Sequence, residues 1–341
     1  MVDITKYNNK LIQKDLDTLM SLNRYLNSFS VSDKSILFLC FMRYNNFIIL
    51  EILNYIESVY NLNVFENVKH KKLIKKFRSK LKCNVSVLQT IEETNKTMHK
   101  IFKTMNNPIV MKLFPNLCDN FGIWFYNKSV IGNTFEIYAI MKKIIYTNDK
   151  PDKKKIISYS EEIGSIMVTL CNVFHVNKKF EAEKISNKEI IKSNDYNLYK
   201  FKYDECLNKT IFYINKLSVL NFYKEIISSQ FKEKINSLDL KIKYVICRNS
   251  VEELKEIDFE FDYQEYDDIF SNLEIRNFMY HYAFPKKFAD INYNNVLFGV
   301  CESTLNMTEK ELNDLLNKCL KELIKRLTKE INKTKYRFLI N

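Results

Sequence analysis

Within the run Arg276-Asn277-Phe278-Met279-Tyr280-His281, three residues supply the side-chain types that phosphodiester cleavage requires. An imidazole moves protons near neutral pH. A guanidinium grips phosphate oxygens through two parallel hydrogen bonds and stabilises the charge that builds on a pentacoordinate transition state. An amide orients either group. Asn277 and His281 stand four residues apart, so a helix projects both from one face. Arg276 lies about 140° round that helix from His281, and its long side chain can reach the rim. The other three histidines, His70, His99 and His175, lack ligand or triad spacing, and the other Arg-Asn pair, Arg248-Asn249, has no histidine after it.

A plainer reading stands beside this one. His281 can sit inertly in packing, Arg276 can pair with Glu274 or Glu265, and Asn277 can cap a helix. Lys286 and Lys287 lie just beyond the run, where they are expected to hold substrate phosphate. The basic run Lys69, Lys71, Lys72, Lys75, Lys76, Arg78, Lys80 and Lys82 is a second candidate phosphate surface, although faces this charged are more often simply solvated. Glu265, Asp267 and Asp268 offer hard oxygen ligands, but without metal-loop spacing they read as a solvated acidic face. No metal or cofactor is expected.

The run from Arg276 to His281 resembles the R-x4-6-H motif of the HEPN superfamily, in the form with a polar residue after the arginine. The resemblance covers the C-terminal region only. It implies an α-helical, metal-independent endoribonuclease of the toxin–antitoxin or antiviral-defence type, with Arg276, Asn277 and His281 as its catalytic residues. It further implies RNA as partner, a homodimer with a shared cleft, and an antitoxin or defence-system protein as a further partner. One histidine per chain gives the dimer a chemical reason, because separate acid and base roles then need a second protomer. The contrasting reading is a non-catalytic helical interaction or RNA-binding scaffold.

The elements that must position these residues are helical. The chain has 341 residues with 46% hydrophobic content, enough to bury substantial cores. Four glycines and four prolines are too few for a hairpin-rich β fold or for glycine-rich phosphate loops. The net charge of +12 permits a polyanionic partner, but 46 lysines against 7 arginines also fit an AT-rich coding bias. Eight scattered cysteines without a C-x2-C pair exclude a zinc ribbon and fit a reducing compartment. Residues 1–14 are too polar for a signal peptide, and the apolar stretch 36–55 is broken by Arg43, Asn45, Asn46 and Glu51, so a cytoplasmic protein without a membrane span is expected.

The apolar spacing predicts helices over 15–29, over 32–60 with Ser32 as N-cap, and over 69–82, 84–105, 133–147, 156–174 and 206–236. Alternation over 240–247 and 257–263 predicts short strands in the second half, and the motif helix is expected over 265–283. Thr308 and Glu311 form a capping box that opens a six-turn helix. The charged stretch 178–200 is expected to be a long surface loop or the boundary between an N-terminal helical domain of unknown role (1–180) and a HEPN-like bundle (201–341). The fold class is mainly α, with minor β elements.

Overall fold

The computed structural model describes residues 4–62, 64–79, 121–134, 136, 146–147, 150–151, 153–176, 189–196, 204–231, 234–285, 291–334 and 336. The fold is mainly α, with a small antiparallel sheet. The predicted helix 84–105, most of 133–147, and both Lys286 and Lys287 lie outside the described residues.

Helix α1 (Ile4–Asn27) and helix α2 (Val31–Tyr60) pack on each other across a short link. The cap of α2 is Ser30 and not Ser32: the Ser30 hydroxyl accepts the Asp33 N–H, while Ser32 donates to Glu189. Helix α2 is long and apolar enough to cross a membrane by composition alone. Here it is wrapped by protein, and it buries Arg43, Asn45, Asn46 and Glu51 along with its apolar residues. Helix α3 (Lys71–Ser79) lies against α2 through buried Leu73 and Ile74. Its N-terminus is fixed by Glu162, whose carboxylate accepts the Lys69 and His70 N–H groups at 2.6 and 2.8 Å, a charge placement that the helix dipole favours.

Strand β1 (Phe121–Tyr126) sits between β2 (Ser129–Asn133) and β3 (Lys192–Tyr196), both antiparallel to it. Gly132 is required where β2 meets α2, because a Cβ there would fall 2.5 Å from the Cys40 sulfur and 2.8 Å from the Trp124 ring. Glu162 lies on helix α4 (Lys153–Val173). Helix α5 (Glu205–Phe222) packs on β2 and runs into a π-helical turn, Tyr223–Ile227, so the helix expected over 206–236 ends early as a regular α-helix.

Residues 240–247 are not a strand. They lie inside helix α6 (Ser237–Lys255), capped by Asn236, whose side chain accepts the Leu238 and Asp239 N–H groups. The polar positions of the alternation do not face water. Lys241 is buried on Asp15 at 2.9 Å, and Lys243 is buried on Asp239 at 3.5 Å and on Asn313. A helix buried all round can therefore carry a period-two pattern. Residues 257–263 form no strand either. The expected motif helix is two helices, α7 (Gln264–Ser271) and α8 (Leu273–His281), broken at Asn272. After the short α9 (Val300–Leu305), helix α10 (Glu309–Lys333) opens on the Thr308–Glu311 capping box and buries Leu312, Leu316, Cys319, Leu320, Leu323, Leu327 and Ile331.

One hydrophobic cluster runs through helices from both sides of residues 178–200. Helix α1 packs on α6, and α2 packs on α8. The motif helix is thereby seated against the N-terminal hairpin.

Candidate functional site

The motif helix is built by its own caps. The Asn272 side chain accepts the Glu274 and Ile275 N–H groups at 3.0 Å each and donates to the Thr304 carbonyl at 3.0 Å. At the other end Tyr282 adopts a left-handed conformation, φ 54°, and stops the helix directly after His281. Ile275, Phe278, Met279 and Tyr280 are buried, while Asn277 and His281 are exposed, as the four-residue spacing predicts.

His281 is anchored and accessible at once. Its Nδ1 lies 2.6 Å from Oε2 of Glu51 on α2, and its side chain is 42% exposed where that of Glu51 is 1% exposed. The second oxygen of Glu51 pairs with the guanidinium of Arg78 from α3. A buried carboxylate thus holds an imidazole on one side and a guanidinium on the other. Accepting from Nδ1–H fixes the ring's orientation and tautomer, and Nε2, which no described residue engages, stays available for proton transfer.

Arg276 is on the other rim. It is half-buried, and its charge acts on Tyr244 of α6, helping to hold that phenol down against burial. It makes no ion pair with Glu274 or Glu265, and Glu265 is taken by Lys318. Asn277 caps nothing, since Asn272 does that work. Among the described contacts, the structure brings His281 together with Glu51 and Arg78, and it does not join Arg276 to His281.

Two polar clusters hold α8 from behind. Tyr280 donates to Oδ1 of Asn249 at 2.5 Å and receives Arg248 at 3.5 Å, so the second Arg-Asn pair buttresses the motif helix. Burial pushes the Tyr280 phenol up to about 12 despite the opposing pull of Arg248. Next to His281, the Tyr282 hydroxyl donates to Oδ2 of Asp15 at 2.9 Å. The same oxygen takes the Lys241 ammonium, which lies 3.6 Å above the centre of the Tyr282 ring, and Ser237 donates to Oδ1 at 2.6 Å. Burial lowers the Lys241 pKa even against the attraction of Asp15.

Among the described residues no group of three or more His, Cys, Asp or Glu is placed to hold a metal ion, and Glu265, Asp267 and Asp268 form no such cluster. Glu51 and Arg78 were not assigned to this site from sequence. Arg78 carried a partial signal as a member of the basic run. Glu51 carried only its oddity as a carboxylate within an apolar helix. Compared with known families, curated proteins and solved structures, the chain matches none.

Proposed function

We propose that the chain is a metal-independent endoribonuclease, acting as a homodimer of the toxin or antiviral-defence type. The observation that carries this reading is the His281 ring, exposed to solvent while its Nδ1 is fixed by a buried carboxylate. Nε2 of His281 takes the proton of a ribose 2′-hydroxyl. The 2′-oxygen bonds to the adjacent phosphorus, and the P–O5′ bond breaks. The leaving 5′-oxygen receives a proton from the His281 of a second copy, and the products are a 2′,3′-cyclic phosphate and a 5′-hydroxyl. Glu51 acts as a positioning residue. Asn277, on the exposed face, orients phosphate, and Arg276 stabilises its charge after its side chain swings round the rim.

The test is cleavage of RNA in excess EDTA. Cutting should continue, and His281→Ala and Arg276→Ala should each abolish it while the chain stays folded. Loss of cutting in EDTA, or full activity in either variant, overturns the mechanism. A non-catalytic scaffold is favoured by one observation, the separation of Arg276 from His281, and in that case the His281–Glu51–Arg78 cluster serves only to tie α8, α2 and α3 together.

A further inference from the structure

Helix α3 has no role in the reaction just described, yet it reaches the same carboxylate as His281. Its outward flank is basic. Lys71 and Lys75 stand at i and i+4 with Lys72 beside them, and Arg78 follows, over about 10 Å of helix axis in all; the Lys71 ammonium also donates to the Glu66 carbonyl at 3.4 Å. Leu73 and Ile74 are buried towards α2, which leaves Lys72 and Lys75 exposed, while Arg78, four residues after Ile74, lies at the inner edge with its guanidinium on Glu51. Lys72 has no hydrogen bond or ion pair among the described residues. The nearby carboxylate of Glu162 is spent on the Lys69 and His70 backbone N–H groups at the start of the helix. At the far end, Arg78 meets Glu51, whose other oxygen holds His281.

We propose that α3 is a phosphate-tracking face that leads single-stranded RNA to His281. The inference rests on the nuclease reading and adds its substrate class. A row of ammonium groups ending in a guanidinium follows a sugar–phosphate backbone without reading bases. A single strand is the form that fits. Attack by a 2′-hydroxyl needs a ribose and phosphate free to turn into line, and unstacked strands allow this where an A-form helix does not. The row ends where the Arg78 guanidinium is held on Glu51, the carboxylate that also holds His281.

The test uses the full chain carrying His281→Ala, so that binding is read without cleavage. The probe is a fluorescent single-stranded RNA oligonucleotide, titrated at several salt concentrations. Adding Lys72→Glu and Lys75→Glu should weaken binding by about tenfold or more, and the slope of log affinity against log salt should shrink by roughly 0.7 per lost phosphate contact. The milder pair Lys72→Gln and Lys75→Gln should give a smaller loss in the same direction, with an unchanged circular dichroism spectrum. Unchanged affinity and salt slope in both pairs would overturn the inference while leaving cleavage by the wild type untouched. Equal competition by polyglutamate would also overturn it, in favour of an acidic protein partner. If the wild type binds RNA through α3 but never cuts it, the nuclease reading fails and the binding face stands.

Discussion

At the scale of single residues, the decisive contact is Glu51 on His281. A carboxylate buried to 1% exposure has no solvent to stabilise its charge, so it needs partners, and it has two cations or cation-capable groups on its two oxygens. Replacing it by glutamine keeps the shape and removes the charge. In Glu51→Gln, 15N NMR of the His281 ring should show mixed tautomers where the wild type shows Nδ1–H. A ring with the same single tautomer in both would mean that Glu51 does not position it. The motif residues were legible in the sequence because they lie within one helical turn or so of each other. Glu51 was not, because its partner stands 230 residues away and only folding brings them together.

A second residue-scale expectation concerns acid behaviour. Burial raises the Glu309 carboxyl above its ordinary 4.5, outweighing the Val296 and Leu297 N–H groups that it accepts. A raised carboxyl favours the protonated form in the folded state. Its contribution to stability is therefore fullest below 4.5 and is lost as pH rises through the folded value. The stability advantage of wild type over Glu309→Gln should shrink as pH rises above 4.5 in urea titrations. An advantage that grows over that range contradicts the sign.

At the scale of elements, caps and burial decide what sequence patterns only suggest. The α10 capping box was readable because both partners sit three residues apart and the apolar stripe that follows is one-sided. The break at Asn272 was not, since apolar spacing continues across it and the asparagine's second partner is the remote Thr304 carbonyl. Asn272→Ala should cost about 1–2 kcal/mol in urea unfolding, a lost cap plus a lost long-range bond. A cost near zero would mean that α8 holds its ends without the cap. The segment 240–247 misled for a different reason, because Lys241 and Lys243 are polar by type and interior by position. Strand β3, Lys-Ser-Asn-Asp-Tyr, hid as an apparent loop because it is an edge strand whose exposed side chains carry no apolar alternation.

At the scale of the whole molecule, α1 and α2 are the seat on which the motif helix rests, and Asp15 is the joint that ties α1 to α6 and to the end of the motif helix. It gathers Ser237, Lys241 and Tyr282 from two remote segments, all buried. Lys241→Met strands that carboxylate and should cost about 3–5 kcal/mol in urea unfolding. Adding Asp15→Asn should recover part of the loss, because the uncompensated charge is gone. Strict additivity of the two changes would mean that the ion pair contributes no coupling. The mainly helical class was legible from scarce glycine and proline and from long apolar stripes, but the joint was not, since its partners are joined only by tertiary folding. The most direct measurement is the rate at which folded Glu51→Gln cuts single-stranded RNA in EDTA, relative to the wild type. A fall of about a hundredfold or more is expected, as for other carboxylates that orient a catalytic imidazole. An unchanged rate would contradict the central role of the Glu51–His281 pair.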